Sequence, residues 1–243
     1  MNNKDLFEQE TLQNITFTVP EGLECKESSY GPFRLLSLPD AEILYSDCLL
    51  SLKYSNRCFD YLLEKNGVVV KNEYESYLGT YDNTEWNHES VFLYGKSHLL
   101  PRLTAWYGDE GSNYKYSGIH CNPNPWNSCL AHLKMVIESS LNTTFNSALL
   151  NLYRDGCDHL SWHCDNEREL GSSPVIASVS FGATRDFIIR RIDDHSKKLS
   201  IPLAHGSVLV MKGDMQRYWE HSVPKRKKVS KARINVTFRK IFV

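Results

Sequence analysis

The sequence predicts an α+β protein in which helices come first and an antiparallel β core follows. Three observations predict it. Apolar residues recur at helical spacing between Pro39 and Asn66 and again after Pro125. Six short β-prone runs follow Asn146, separated by Gly, Pro, Asp and His turns. Helices do not alternate with strands in that half, so a sandwich or barrel is expected rather than a parallel sheet. The 243 residues are 41% hydrophobic and 23% charged, which fits a folded globular chain and excludes disorder or a fibrous repeat for the bulk.

In chain order, residues 1–25 are polar without periodicity and read as a tail. Residues 26–90 read as an N-terminal extension with helices. There Leu44, Cys48, Leu52, Cys58, Phe59, Leu62 and Leu63 recur every three or four positions, with Ser55 and Asn56 as caps and Gly67 as a stop. From residue 68 to 120, VVV, VFLYGK and TAWYGDEGSNYKYSG suggest short strands and exposed aromatic loops. Pro125 opens a second helix to about Ser140, with Leu130, Leu133, Val136, Ile137 and Leu141 facing inward. SALLNLY, PVIASVSF, RDFIIR, LSIPL, GSVLVMK and ARINVTFRK are then the six β runs.

No apolar run approaches the roughly 18 residues of a membrane span, and MNNKDLFEQETLQN is too polar for a signal peptide, so no membrane partner is expected. Seven cysteines, an odd number without a CxxC pair, read as free thiols in a reducing compartment and argue against a cysteine-built zinc site. The net charge of −1 conceals an asymmetry: residues 181–243 hold 15 Lys/Arg against 5 Asp/Glu, a balance of +10, which leaves −11 for residues 1–180. Lys225, Arg226, Lys227, Lys228 and Lys231 form the dense part, either a solvated loop or a contact for a polyanion.

His163 and Asp165 flank Cys164 in an extended segment, so both project to one side while Cys164 points away. Together with His221, which follows another β run, they make two imidazoles and a carboxylate, the ligand set associated with non-haem iron(II) oxygenases. The competing reading is a surface turn, because H-x-D is a common tripeptide. The last strand bears on the choice. Alternation places Arg233, Asn235, Thr237 and Arg239 on one face and Ile234, Val236 and Phe238 on the other. The apolar face already supplies a core, so the polar face lines solvent or a cavity. Two guanidiniums beside Asn and Thr suit a dicarboxylate.

Asn151-Leu-Tyr153, His163-x-Asp165, PVIASVSFG, IPLAHGS, His221 and RINVTFR occur in that order. This set resembles the AlkB family of Fe(II)- and 2-oxoglutarate-dependent dioxygenases, in particular its eukaryotic nucleic-acid repair branch, over about 150 residues from Val91 to the C-terminus. The resemblance implies a double-stranded β-helix (jelly roll) in residues 126–243 and a nucleotide-recognition lid in 91–125. It implies that His163, Asp165 and His221 hold Fe(II) and act in catalysis. Asn151, Tyr153, Arg233, Asn235, Thr237 and Arg239 would hold 2-oxoglutarate, with Arg233 and Tyr153 at the far end and Arg239 near the metal. The reaction it implies consumes O2 and 2-oxoglutarate and hydroxylates an N-methyl carbon on a base such as N1-methyladenine or N3-methylcytosine, which then sheds formaldehyde.

On the substrate side the resemblance implies Tyr114 and Tyr116 as stacking faces, Tyr94 as a hairpin ring, Glu167 as an acid facing a cationic base, and Arg190, Arg191 and the 225–231 cluster as phosphate contacts. Asn166 departs from the Asp of the relatives. Tyr94 suits a duplex-acting enzyme, while Arg102–Gly108 and Trp162 look more like a single-strand- and RNA-acting one. The expected partner is DNA carrying alkylated bases, with RNA as the alternative, or else the chain is a non-catalytic nucleic-acid-binding jelly roll. A monomer working in the nucleus, and also in the cytoplasm, completes the expectation. His205, His159, Asp155 and Asp158 read as structural.

Overall fold

Two facing antiparallel sheets carry the strand-rich half of the chain. The computed structural model describes residues 25–63, 84–93, 95–112, 114–116 and 119–242. The chain opens with β1 (Cys25–Glu27), β2 (Arg34–Leu38) and β3 (Ala41–Ser46), and then α1 (Leu52–Leu63). β4 (Ser90–Leu93) and β5 (Lys96–Leu99) pair as a hairpin, β6 (Leu103–Gly108) follows, and β7 (Tyr114–Tyr116) and β8 (Ile119–Cys121) pair as another. After α2 (Ser128–Leu141) come β9 (Ser147–Tyr153), β10 (Leu160–His163), β11 (Ile176–Gly182), β12 (Arg185–Arg191), β13 (Lys198–Leu203) and β14 (Val208–Gly213). A single turn, α3 (Met215–Tyr218), leads into β15 (Trp219–Val223), and β16 (Arg233–Arg239) closes the fold.

The major sheet has the order β1-β2-β3-β14-β11-β16-β9-β6 and the minor sheet β10-β15-β12-β13. The last eight strands therefore divide four and four, the arrangement of a double-stranded β-helix, with the three N-terminal strands β1–β3 added at β14 and β6 added at β9. All six β runs expected after Asn146 are strands.

Two hydrophobic cores lie on either side of the major sheet. On its outer face Leu62, Leu130, Leu133 and Ile137 of the helices pack on Leu150, Val179, Val210, Val236 and Phe238. Between the sheets Ile43, Tyr153, Ile176, Met211, Phe187, Ile189, Ile201 and Val223 form the second core. Strand β16 shows the division: Ile234, Val236 and Phe238 face the helices, and its polar residues face the sandwich interior. The interior is where the site forms.

Several expectations are corrected. Residues 39–66 are not helical throughout, because β3 occupies 41–46 and α1 begins at Leu52. The four-residue spacing of Leu44, Cys48 and Leu52 imitates a helix, but β3 is covered on both faces and so lacks a period of two. Asp40, at φ 63°, turns the chain between β2 and β3. Ser51 caps α1 by accepting from the Tyr54 N–H at 3.2 Å, which places Ser55 and Asn56 inside the helix. Residues 26–90 thus contribute strands as well as a helix, and Gly67 and VVV lie outside the described residues. Finally, β6, expected in a lid, is an edge strand of the major sheet paired with β9. The helix after Pro125 starts at Ser128 because Asn127 is its cap, with Oδ1 accepting from the Leu130 N–H at 2.9 Å.

Candidate active site

His163 ends β10 and His221 sits opposite it on β15. Along this pair Leu160 aligns with Val223 and His163 with His221, so β10 carries one extra residue. That bulge turns both Leu160 and His163 toward the interior, which strict alternation would forbid. Asp165 lies just beyond β10 and is fully buried. Its backbone N–H donates to Oε1 of Gln216 on α3 at 2.9 Å, and Arg239 Nη2 donates to its Oδ1 at 2.9 Å.

The three donor groups converge. His163 Nε2 is 3.9 Å from Asp165 Oδ1, His221 Nε2 is 4.0 Å from Oδ2, and all three ligand atoms lie within 4.8 Å of one another. Two donors each about 2.1 Å from one ion can stand at most about 4.2 Å apart, so both contacts to the carboxylate suit one divalent metal. His163 Nδ1 is 2.9 Å from the Ser161 carbonyl, so Nδ1 carries the hydrogen and Nε2 offers its lone pair to the gap. Burial, reinforced by His163, pushes the His221 pKa down to about 3, which keeps that imidazole neutral as a ligand must be. Burial opposes ionisation of Asp165, yet Arg239, His221 and His163 together hold its pKa at about 2. Cys164 is the contrary case: burial and nearby carboxylates raise its thiol to about 11, and Sγ donates to the Trp219 carbonyl. It points away from the site, as alternation predicts.

Beside the triad a cavity is lined by Asn151, Tyr153, Arg233, Asn235, Thr237 and Arg239, together with Leu149, Ser178, Phe187 and Leu203. Arg233 is 1% exposed, and its Nη2 donates to Ser180 Oγ at 2.9 Å. Its Nε and Nη1, and the Tyr153 hydroxyl, are buried without a hydrogen-bond partner among the described residues. Burial lowers the Arg233 pKa. A buried guanidinium with donors left over is costly unless an anion meets it, and a dicarboxylate supplies that anion. Arg239 stands at the triad end of the cavity and Arg233 at the Tyr153 end, 5.1 Å over that ring. Asn235 differs from the others: Nδ2 donates to Ser178 Oγ and the Val179 carbonyl, and Oδ1 accepts from Thr237. Its amide is used within the wall.

Several residues of the site were not foreseen. Arg102, 3% exposed, donates from Nε to Asn151 Oδ1 at 2.6 Å, leaving the Asn151 amide hydrogens for the cavity. Gln216 supports Asp165, and Ser178 and Ser180 support Asn235 and Arg233. The serines alternate along β11, a regularity legible in PVIASVSF; Arg102 opens the Arg102–Gly108 segment noted only for its substrate side, and Gln216 sits outside any motif.

The substrate-side residues are more scattered. Glu167 is half-buried before a short 3-10 turn, with Oε2 buried and unpartnered among the described residues. Arg190 lies on the outer face of the minor sheet, bonded to Glu220 at 2.6 Å and stacked 3.9 Å over Trp162, outside the cavity. Arg191 is corrected outright as a phosphate contact, because it is buried and bonded to Asp40 and Asp193. Lys225, Lys227, Lys228 and Lys231 are exposed. Tyr114 and Tyr116 lie on β7, but their side chains and all of Tyr94 fall outside the described residues. His159, Asp155 and Asp158 are held in local hydrogen bonds, and His205 Nδ1 accepts from the Gly182 N–H at 2.8 Å.

Residues 68–239 match the family model described as the 2OG-Fe(II) oxygenase superfamily. The chain is 46% identical over 160 residues to the human protein named DNA oxidative demethylase ALKBH2, covering 63% of this chain and 61% of that one. It is 45% identical over 166 residues to the human alpha-ketoglutarate-dependent dioxygenase alkB homolog 3, covering 65% of this chain and 57% of the relative. The matches thus span less than two thirds of these relatives' own length. Among solved structures, one titled "The structure of OsALKBH1" superimposes with a TM-score of 0.51 at 15% identity, over 85% of this chain and 99% of that one, a likeness of fold. With a family match across most of its length, a double-stranded β-helix and a His-Asp-His cluster beside an arginine-lined cavity, the chain belongs to the 2OG-Fe(II) oxygenase superfamily.

Proposed function

We propose that the protein is an Fe(II)- and 2-oxoglutarate-dependent dioxygenase that oxidatively demethylates N-alkylated bases in DNA by direct reversal. The observation that carries this reading is the triad facing a buried arginine that lacks an anion. His163, Asp165 and His221 would hold the metal as catalytic ligands. Arg233 and Tyr153 would receive the distal carboxylate of 2-oxoglutarate, and Arg239 and Asn151 the end near the metal, while Asn235 and Thr237 shape the wall. When bound, Fe(II) with 2-oxoglutarate and O2 supplies the oxidation that converts an N-methyl group to a hydroxymethyl group, which leaves as formaldehyde. The chain's own part is to orient and to exclude water: Leu149, Leu160, Phe187 and Val223 line the cavity with apolar surface.

The relatives' names support DNA as the substrate class. N1-methyladenine and N3-methylcytosine are cationic, and the unpartnered Glu167 oxygen close to Asp165 in the chain suits a positive ring. Tyr94, Tyr114 and Tyr116 are the proposed stacking side chains, and the exposed lysines of the 225–231 loop, with Arg190 at the flank, the proposed phosphate contacts. Action on DNA implies a nuclear site of work, and the proposed enzyme is monomeric.

The test is mass spectrometry of matched methylated DNA and RNA oligonucleotides incubated with enzyme, Fe(II) and 2-oxoglutarate. Loss of methyl groups with release of formaldehyde is expected from DNA. Demethylation of the RNA strands alone would move the substrate to RNA. His163→Ala and Asp165→Ala are expected to abolish turnover and to weaken Mn(II) binding at least tenfold or so, while the folded spectrum persists. Wild-type turnover in either variant would remove the metal assignment.

A further inference from the structure

Arg185 is among the most deeply buried side chains of the molecule, 2% exposed, and it lies outside the cavity lining. Its guanidinium donates to three backbone carbonyls: Asp155 O at 3.0 Å, Asp158 O at 2.8 Å and Pro224 O at 2.7 Å. Two of these belong to the loop that joins β9 to β10. The third begins the loop that joins β15 to β16 and carries the exposed lysines. Arg185 also sits 5.6 Å over the ring of Tyr153, the residue that shares the far end of the cavity with Arg233.

Above Arg185 the two loops are bonded to each other. Gly156 N–H donates to Val229 O at 2.7 Å, and Arg226 N–H donates to Gly156 O at 2.7 Å. The approach leaves no room for a side chain, since a Cβ on Gly156 would lie 1.8 Å from the Arg226 carbonyl oxygen. Arg226 is in turn paired with Asp186 of β12 at 2.6 Å, so its charge is spent within the fold. The lysines around it stay exposed. A loop held at this many points presents its charges in a set arrangement rather than as a mobile arm.

We propose that Arg185 is a positioning residue that sets two binding surfaces at once: the basic loop that meets a nucleic-acid backbone, and the Tyr153 end of the dicarboxylate cavity. The planar fork is suited to this, because it directs several donors to carbonyls on separate segments. Gly156 positions the loop alone. The inference rests on the function proposed above, in that it takes a polyanion as the ligand of the loop.

The experiment measures two affinities of the full chain. Binding of a fluorescent single-stranded oligonucleotide is followed by anisotropy over a NaCl series, and binding of 2-oxoglutarate with Mn(II) by calorimetry. Arg185→Met is expected to weaken both ligands, the oligonucleotide by about tenfold, and to lower the salt slope by about 1 to 2 as phosphate contacts are lost. Arg185→Lys should recover part of each affinity. Gly156→Ala should weaken only the oligonucleotide. Lys227→Ala, a surface change, should lower the salt slope by about 0.7 and leave 2-oxoglutarate binding as it was.

A folded Arg185→Met protein with either affinity unchanged overturns the proposal. If that variant does not fold, Arg185→Lys decides: partial loss of both affinities supports the proposal, and wild-type affinity for either ligand there overturns it equally. The wild-type protein separates this failure from that of the functional reading: no salt-dependent oligonucleotide binding by wild type removes the polyanion itself.

Discussion

Asp158 shows how a single acid holds an active-site loop. It accepts from the backbone N–H, Nε and Nη2 of Arg154. Burial opposes its ionisation, but these bonds from Arg154 hold its carboxyl below the usual value of 3.8. A depressed folded pKa contributes stability that is complete above the unfolded pKa and is lost as pH falls through the folded one. Asp158→Asn is therefore expected to cost about 1–3 kcal/mol at neutral pH by urea unfolding. The deficit should shrink as pH drops below about 4, and a deficit independent of pH would assign the role to packing instead.

The triad shows what residue type alone can and cannot say. Alternation correctly put His163 and Asp165 on one side and Cys164 on the other. It carried no information on Gln216, which reaches Asp165 from a four-residue helix 51 positions later.

Strands differ in how plainly their sequences show them. β16 is legible because its two faces meet different surroundings, apolar against the helices and polar toward the cavity. Phe238 belongs to the first face, fully buried and stacked on Trp126 at 6.3 Å. Phe238→Ala is expected to cost about 3–5 kcal/mol through the cavity it leaves. Dicarboxylate affinity should stay within about twofold, since the change falls on the opposite face of the strand. Calorimetry beside denaturant unfolding checks both, and a large loss of affinity at small stability cost would reverse the argument.

β3 and the ligand-bearing β10 and β15 were harder to see, for different reasons. β3 is covered on both sides, so it has no alternation to read. β10 is four residues long and interrupted by a bulge, and β15 follows a helical turn. Short irregular strands are what a metal site requires, because side chains must be re-aimed off the regular pleat.

At the scale of the whole molecule, the two sheets contribute opposite halves of the site. The minor sheet brings His163 and His221, and the major sheet brings Tyr153, Arg233, Asn235 and Arg239. Metal and dicarboxylate bound together would bridge the sheets and bind only the folded chain. At about a hundredfold excess over Kd such a ligand adds about 2.7 kcal/mol, or about 5–10 °C in Tm for a domain of this size. Mn(II) with 2-oxoglutarate should give that rise in a thermal scan. Arg233→Gln should show the smaller shift of the metal alone, and an equal shift in this variant would take Arg233 out of the cavity's chemistry.

The jelly roll is what the family resemblance implied, while composition and strand periodicity were enough for an α+β fold with an antiparallel β core, the pairing of His163 with Asp165 on one side and the polar face of β16. These are properties of adjacent or alternating residues, which backbone geometry turns directly into faces. The contacts of Arg102, Arg185 and Gln216, the pairing of Arg191 with Asp40, and the docking of the basic loop onto Gly156 emerged only from the folded chain. Each joins segments far apart in sequence, where no local period applies and a buried polar group takes whichever partner the fold brings to it.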